Sequence, residues 1–285
     1  MNINNYAGIP DEYAKYDNCK VIVLPVPYDA TSTWGKGADK APEAFLKASE
    51  NMELYDIETD TEVYKQGVWL AEPLIAVSNP EKMTEQIKSE ANKYFKDKKL
   101  FTMIGGEHSV SIGAIMAANE NFDNLSVLQL DAHSDLRPEY NNSKYNHACA
   151  MHWASKNTNL VQVGIRSMDA DEKQYMNKLN VFFAENIVNN NSEWQKNVVE
   201  KLTDNVYVSI DLDYFDPSIM PSTGTPEPGG MGWYETLKLL KILSFQKNII
   251  GFDIVELAPD KSNKAPDFLT AKLYYKFLSY IFNKK

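Results

Sequence analysis

The sequence predicts an α/β protein with a mostly parallel sheet, and two observations indicate this fold class. Short apolar runs rich in Val, Ile and Leu alternate along the chain with amphipathic segments of helical periodicity. Several apolar runs are continuous, which is typical of parallel strands that are covered on both faces. The 285 residues show no change in composition that would divide the chain. We therefore expect a single domain over residues 1–285.

Seven apolar runs predict strands, and the segments between them predict helices. The strands are expected at Val21–Pro25, Leu100–Ile104, Leu125–Leu130, 160–163, Val181–Phe183, 206–212 and 249–255. The helices are expected at 41–50, 80–98, 109–119, 169–179, 192–202, 233–243 and 266–282. Asn79 is placed to cap the second helix. Pro80 suits the first helical position, because proline has no N–H group that would need an acceptor there. The last helix is apolar around most of its circumference, so we expect it in the core; a subunit interface is the alternative.

The composition narrows the classes of function. With 39 acidic and 29 basic residues, the net charge of −10 argues against nonspecific nucleic-acid binding. It suits a small cation or a metal ion, although solubility alone makes many enzymes acidic. Cys19 and Cys149 predict neither a disulfide framework nor a cysteine-based metal site. No apolar stretch approaches the roughly 18 residues of a membrane helix, and the first residues do not resemble a secretory signal, so we expect a cytoplasmic protein.

Polar residues that could bind a metal ion or take part in catalysis follow the predicted strands. Ligands bind at this end of the strands in open α/β sheets. The strand Leu100–Ile104 continues into GGEHS, whose two glycines permit a tight turn that presents His108. The strand Leu125–Leu130 continues into DAHSD, in which Asp131, His133 and Asp135 alternate with period two. Alternate residues of an extended segment point to the same side, so these three side chains are expected to converge.

A further pair of carboxylates, Asp211 and Asp213, shares one face at the end of the strand near 206–212. Together the three strand ends offer two histidines and four aspartates, which exceed the ligands of one tetrahedral zinc ion. They suit two octahedral ions that share bridging carboxylates, and manganese is the best match; zinc, iron, cobalt and nickel remain alternatives. Ion pairs alone are a weaker explanation, because neighbouring buried carboxylates are costly without a cation.

Two other residues are candidates for the chemistry itself. His147 follows the DAHSD segment, and a histidine near a bound metal ion can move protons at neutral pH. Glu256 ends the strand near 249–255, where it could hold a cationic substrate group through paired hydrogen bonds. We assign a structural role to His152 and a loop-capping role to Asp216, which precedes a proline.

Together these motifs resemble the ureohydrolase family, which includes arginase and agmatinase. GGEHS, DAHSD, SIDLDYFDP, PSTGTPEPGG and FDIVE occur in the family's order, and the resemblance extends from Val21 to about Pro259. It implies a three-layer α/β/α sandwich around an eight-stranded parallel sheet, assembled as trimers or hexamers. It also implies that the chain binds two Mn²⁺ ions.

The resemblance assigns roles to individual residues. One ion would be held by His108, Asp131, Asp135 and Asp211, and the other by Asp131, His133, Asp211 and Asp213, with Asp131 and Asp211 bridging. His147 would be the proton-shuttling histidine that also contacts the substrate. Asp135 would relay a proton, and Glu256 would bind the guanidinium group of a small cationic substrate.

Within this family, the chain most resembles the agmatinase branch, through PVPYDATS at 25–32 and NMELYD at 51–56. Arg137 stands where arginases usually carry an asparagine that helps to hold the substrate α-carboxylate. The resemblance implies hydrolysis of agmatine to urea and putrescine, a step of polyamine synthesis. The alternatives are arginase, guanidinobutyrase, formimidoylglutamase, aminopropylagmatine ureohydrolase, or a non-catalytic metal-binding homologue. A one-zinc deacetylase is disfavoured, because no two of the four histidines are adjacent.

Overall fold

The computed structural model describes residues 5–190 and 193–283 of the chain. Within them, eight strands form one sheet in which every neighbouring pair is parallel. The order across the sheet is β2-β1-β3-β8-β7-β4-β5-β6. In chain order, strands β1 to β8 are Val21–Pro25, Val68–Leu70, Leu100–Ile104, Leu125–Leu130, Asn159–Ile165, Val181–Phe183, Asn205–Asp211 and Asn248–Val255.

Helices cover both faces of the sheet. In chain order, helices α1 to α8 are Ala41–Ser49, Pro80–Lys96, Val110–Asn121, His152–Asn157, Ala184–Asn190, Trp194–Glu200, Trp233–Gln246 and Ala265–Phe282. Helices α2, α3 and α4 pack on one face, and the other five pack on the opposite face. Alternate residues of β1 enter different cores: Val21 and Val23 face one, and Ile22 and Leu24 face the other. This arrangement confirms the predicted three-layer α/β/α fold.

Helix α8 lies in the core of the single chain, as its apolar girdle predicts. Tyr274, Phe277 and Leu278 are fully buried, and the helix packs against α1 and α7. The hydroxyl of Tyr274 lies 2.9 Å from Oγ1 of Thr102 in β3, which ties the helix to the sheet. No helix of the described residues is long and apolar enough to cross a membrane.

Local differences from the prediction have physical causes. The expected helix at 169–179 is wrong: only a 3-10 turn forms, over Ala170–Gln174. There Asp169 and Glu172 make a reciprocal cap that closes a single turn, and the side chain of Asn177 accepts from the backbone N–H of Leu179 at 3.2 Å. Such side-chain bonds compete with helix propagation.

Other boundaries lie close to the predicted ones. The side chain of Asn79 caps α2 as predicted, with its oxygen 3.0 Å from the backbone nitrogen of Lys82. Strand β2 and the short helices α4 and α5 were not predicted, because they are too short for a periodic signal. The predicted helix at 192–202 appears as α6, and residue 192 lies outside the described residues.

Candidate metal centre

The order of the strands brings the predicted site residues together. Strands β3, β8, β7 and β4 are consecutive neighbours in the sheet, so the loops after their carboxyl ends share one edge. After β3 the chain turns sharply, and the backbone N–H of Glu107 donates to the carbonyl of Tyr28 at 2.9 Å. Only glycine fits at position 106, because a Cβ there would lie 1.7 Å from that carbonyl oxygen. The turn places His108 at the edge of the sheet where the four strands end.

Three carboxylates surround the imidazole of His108. Its Nδ1 lies 2.9 Å from Oδ2 of Asp135, 3.1 Å from Oδ2 of Asp131 and 3.3 Å from Oδ2 of Asp211. All four side chains are buried. Ligand atoms of His108, Asp131 and Asp135 lie close enough together to hold a divalent ion, and Asp211 lies beside them.

A second group lies beside the first and shares Asp131 with it. Nδ1 of His133 is 2.9 Å from Oδ2 of Asp213 and 3.7 Å from Oδ1 of Asp131. Backbone donors orient the carboxylates: the N–H of Ala132 donates to Asp213 at 3.0 Å, and the N–H of Asp213 donates to Asp211 at 2.9 Å. The predicted convergence of the DAHSD and DLD side chains is therefore present in the fold.

The crowding of carboxylates shows in the pKa values of the cluster. Burial, followed by repulsion from Asp213 and Asp135, raises the pKa of Asp131 to about 7. Burial and the same kind of repulsion raise the pKa of Asp211 well above its usual range. Burial alone would lower the pKa of His133, but Asp213 and Asp131 outweigh it and raise it to about 11. Such a cluster must take up protons or a cation to offset its charge.

Burial alone would lower the pKa of His108, but its three neighbouring carboxylates outweigh burial and raise it. The orientation of the ring shows which nitrogen would bind a metal ion in place of a proton. Its Nε2 lies 3.0 Å from Oγ of Ser209, and that hydroxyl donates to Asp253 at 2.7 Å. The Nε2–H group therefore donates to Ser209, and in the neutral imidazole the lone pair is on Nδ1. Buried Nδ1 makes no well-oriented hydrogen bond with any described residue, although three carboxylates lie beside it. A lone pair among carboxylate oxygens is the arrangement of a metal ligand, so the residues present fit divalent ions.

A pocket of about 310 Å³ opens onto this cluster, and Glu256 lies in its wall. Oε1 of Glu256 accepts a hydrogen bond of 2.7 Å from the backbone N–H of His108. The backbone of Glu256 has a φ of +66° and that of Asp135 a φ of +51°. These left-handed conformations are strained for residues other than glycine, and such strain concentrates at functional sites.

His147 enters the same pocket from the other side. Thr31, in the loop after β1, contacts it twice: Oγ1 accepts from the backbone N–H of His147 at 2.9 Å and lies 3.2 Å from Nδ1. The carboxylate of Glu107, fully buried, is hydrogen-bonded to the hydroxyls of Thr31 and Ser109, and burial raises its pKa to about 6. Burial also lowers the pKa of His147.

One fixed cation, Arg137, lies in the pocket wall, and neighbouring residues engage it. Its Nη2 is 3.1 Å from Oδ2 of Asp169, and its guanidinium lies 5.0 Å from the centre of the Tyr140 ring. Both oxygens of Glu172, also in the wall, accept backbone N–H groups, from Leu136 at 2.8 Å and from Asp169 at 2.6 Å.

The fold thus brings together all the residues predicted for the site. They are His108, Asp131, His133, Asp135, His147, Asp211, Asp213 and Glu256. His152 lies apart, with Nδ1 2.8 Å from the carbonyl of Leu136, and Asp216 accepts backbone N–H groups of its own loop.

Sequence reasoning missed the residues that support this set: Thr31, Ser209 and Asp253. Thr31 follows β1, which is the neighbour of β3 in the sheet. Its proximity to the site can therefore be inferred, but only once the strand order is known. Ser209 and Asp253 lie inside strands, where polar residues give no periodic pattern.

The chain is similar to known proteins along nearly its whole length. A model of the arginase family matches residues 19–279. The chain is 35% identical over 276 residues to the N(1)-aminopropylagmatine ureohydrolase of Synechocystis sp., covering 93% of this chain and 90% of that protein. It is 32% identical over 261 residues to the agmatinase of Halalkalibacterium halodurans, with 89% of each chain covered.

A solved structure matches the fold in the same way. The agmatine ureohydrolase of Thermoplasma volcanium aligns with a TM-score of 0.85 and 29% identity, covering 95% of this chain and 93% of that one. The residues matched by the family model include every strand of the sheet and every side chain of the cluster described above.

Proposed function

The chain belongs to the arginase family and is a hydrolase of amidino carbon–nitrogen bonds, and from that premise we propose that it cleaves agmatine to urea and putrescine. The charge of the pocket wall carries this proposal. Of the residues that the structure describes, six carboxylates and one arginine line the wall, and Asp169 and Tyr140 hold the arginine. Such a wall favours a cationic substrate and offers no free guanidinium to an α-carboxylate.

The residues named for the metals fit a binuclear centre. We propose that His108, Asp131, Asp135 and Asp211 hold one ion and that Asp131, His133, Asp211 and Asp213 hold the other. The membership of Asp131 in both groups supports its role as a bridge. Manganese suits this mixture of carboxylates and imidazoles, and two such ions would supply the Lewis acidity that activates water at neutral pH.

The other residues of the pocket bind the substrate and move protons. Glu256, fixed through Oε1 by the N–H of His108, directs its second oxygen to the guanidinium group and orients the central carbon. His147 supplies the proton that the leaving amine needs when its bond to that carbon breaks. Water adds to the same carbon, so the products are urea and a primary amine.

N(1)-aminopropylagmatine is a second candidate substrate. The relative from Synechocystis, at 35% identity, is named for this compound, and the agmatinase of Halalkalibacterium is 32% identical. The two substrates share the guanidinobutyl end, which Glu256 and His147 would bind in the same way. They differ only in the tail that leaves the pocket.

The test is urea release by the manganese-loaded protein with agmatine, N(1)-aminopropylagmatine and arginine in parallel. We expect kcat/KM to be highest with agmatine and negligible with arginine. A preference for the aminopropyl compound would replace agmatine by the second candidate. Hydrolysis of arginine alone would contradict the inference that the pocket wall offers no free guanidinium to an α-carboxylate.

The metal set is tested separately by counting bound manganese. We expect two ions per wild-type chain and a loss of binding in Asp211→Ala, with Asp204→Ala, an exposed acid outside the pocket, as the control. Full activity in Asp211→Ala after chelation would refute the assignment.

At the level of the whole protein, we propose that residues 1–285 act as one domain and assemble as trimers or hexamers in the cytoplasm. The match of one family model to residues 19–279 supports the single domain. Light scattering of the full chain measures the oligomeric state directly.

A further inference from the structure

A second cavity, of about 740 Å³, lies at the opposite edge of the sheet from the metal centre. Residues that precede or begin the neighbouring strands β1, β3 and β8 line it: Lys20, Leu100 and Asn248. The ends of α2, α3, α7 and α8 close its sides. The strands are five to eight residues long, so roughly 15–25 Å of sheet separate this cavity from the pocket of Glu256.

The charge of this cavity is opposite to that of the chain. Among the described residues, five lysines and no acidic residue line it, whereas the net charge of the protein is −10. The lysines are Lys20, Lys96, Lys98, Lys99 and Lys247. No carboxylate of residues 5–190 or 193–283 lies within ion-pair distance of any of them. Asp97, the nearest acid in sequence, accepts a hydrogen bond from Tyr16 instead.

Three of these ammonium groups have neutral partners. Lys99 donates to the carbonyls of Tyr16 and Cys19, Lys247 donates to the carbonyl of Leu202, and Lys20 donates to the side chain of Gln66. Lys96 and Lys98 have no hydrogen-bond or ion-pair partner in the described part of the chain. Lysines after helix ends complement the helix dipole, which explains their positions. The dipole does not explain why they surround a cavity.

The floor of the cavity is apolar and contains one unsatisfied polar group. Phe95, Phe122, Ile250 and Ile281 contribute apolar surface. Ser244 also lines the cavity; it is 1% exposed, and its hydroxyl has no hydrogen-bond partner among the described residues. A buried hydroxyl without a partner is unfavourable, and a ligand atom in the cavity would satisfy it.

We propose that this cavity is a binding site for a small organic anion with an aromatic or aliphatic body. The anionic group contacts Lys96 and Lys98, the body packs on Phe95 and Phe122, and a polar atom of the ligand meets the Ser244 hydroxyl. The volume lies within the roughly 300–1,000 Å³ of small-molecule sites. The basic rim excludes the cationic guanidino substrate, so the two sites take ligands of opposite charge.

The experiment uses two matched probes on the full-length, manganese-loaded protein. One is 8-anilinonaphthalene-1-sulfonate, and the other is N-phenyl-1-naphthylamine, which has the same rings without the sulfonate. We expect one sulfonate probe per chain, bound at least tenfold more tightly than the neutral probe and more weakly at high salt. Equal affinity for the two probes would overturn the proposal.

Variants then locate the site. The double variant Lys96→Gln/Lys98→Asn should weaken binding of the sulfonate probe about tenfold, and asparagine suits the left-handed backbone of residue 98. Lys82→Gln/Lys238→Gln removes the same charge from exposed positions outside the cavity and should leave binding unchanged. Ser244→Ala should weaken binding about fivefold without lowering the melting temperature, because it removes an unpaired hydroxyl.

Two outcomes would refute this site. Unchanged probe binding in the lysine double variant would place the probe elsewhere on the chain. Probe binding that appears only when the oligomer is diluted to single chains would show that a second copy covers the cavity. Urea release should be unaffected in both cavity variants, because none of the substituted residues lines the pocket of Glu256.

Discussion

Hydrogen bonds to Thr31 favour one tautomer of His147, with the hydrogen on Nδ1. Thr31 has a single hydrogen to donate, and Glu107 is hydrogen-bonded to its hydroxyl. With that hydrogen directed to Glu107, the two lone pairs of Oγ1 accept the backbone N–H and the Nδ1–H of His147. Nε2 then carries the lone pair on the pocket side, where a proton can be taken up and passed to the leaving amine.

Thr31→Val removes this hydroxyl without changing the shape of the side chain. We expect both metals to stay bound, KM to change little, and kcat to fall about tenfold, because only the backbone of residue 31 then holds the tautomer of His147. Nitrogen-15 NMR of the imidazole should show a mixture of tautomers in the variant. Thr31→Ser keeps the hydroxyl and should retain both the tautomer and the rate.

Replacing His147 tests the second member of the pair formed by Thr31 and His147. His147→Ala should keep both metals and lower kcat about 100-fold, since general acid–base catalysis contributes roughly 10²–10⁴-fold. In this background, Thr31→Val should have no further effect, because its action passes through the imidazole. An unchanged kcat in His147→Ala would remove His147 from the reaction, and additive losses would separate Thr31 from it.

At the scale of elements, the turn between β3 and α3 is the part of the fold that least tolerates a side chain. A Cβ at Gly106 would meet the carbonyl of Tyr28 at 1.7 Å, and this turn places His108. Gly106→Ala should lower the free energy of unfolding by about 3 kcal/mol and reduce manganese binding. Gly232→Ala is the control, since its nearest neighbours lie 3.7–3.9 Å from the new Cβ. Denaturant unfolding measures the free energy of unfolding of both variants, and metal analysis measures their manganese content. An equal loss in both variants would contradict the steric argument.

Ion pairs of the buried Lys276 fasten α8 to the loop near residue 58. Nζ of Lys276 lies 3.0 Å from Oδ2 of Asp56 and 2.7 Å from Oε2 of Glu58, and the lysine side chain is 8% exposed. Lys276→Met leaves the buried Asp56 without its cation, so we expect a loss of about 3 kcal/mol in the free energy of unfolding. The control, Lys272→Met on the same helix, should change it by less than about 0.5 kcal/mol.

The same network predicts a pH dependence. Burial alone would raise the pKa of Glu58, but Lys276, Tyr280 and Lys241 outweigh it and hold the pKa at about 2. A carboxyl whose pKa is lowered by folding stabilises the fold above its unfolded value of about 4.3, and this contribution is lost as the pH falls towards 2. The difference in stability between wild type and Lys276→Met should therefore shrink from pH 5 to pH 2. A constant difference over this range would contradict the role of the ion pairs.

Most of the elements and the metal ligands could be predicted from the sequence, because both leave local periodic signals. Continuous apolar runs marked seven of the eight strands, and the period of two in DAHSD placed Asp131, His133 and Asp135 on one face. The 3-10 turn at Ala170–Gln174 and the support of His147 by Thr31 could not be predicted. The turn depends on a side-chain cap between Asp169 and Glu172 that leaves no periodic signal, and the support of His147 depends on a contact between residues distant in the sequence.

For the whole molecule, the parallel sheet separates two charge environments. The carboxyl ends of the strands carry the acidic cluster and its pocket, whereas the amino ends carry the lysine-lined cavity. The separation follows from topology: in a parallel sheet all strands end at one edge, and the covering helices end at the other. The net charge of −10 therefore coexists with one cavity lined largely by carboxylates and another lined by lysines.

The concentration of buried carboxylates at one edge links the stability of the whole fold to metal. A cation that binds the folded chain but not the unfolded one adds RT ln(1 + [L]/Kd), about 2.7 kcal/mol per ion at 100 times Kd. We expect Mn²⁺ to raise the melting temperature by roughly 5 °C or more, and a chelator to reverse the change. Asp211→Ala should abolish the increment, whereas Asp204→Ala should keep it.

The Asp211→Ala chain without metal should melt no lower than the wild-type chain without metal, because the substitution removes a carboxylate from a cluster that repels itself. A wild-type melting temperature indifferent to manganese would mean that protons, rather than metal ions, neutralise this cluster in solution.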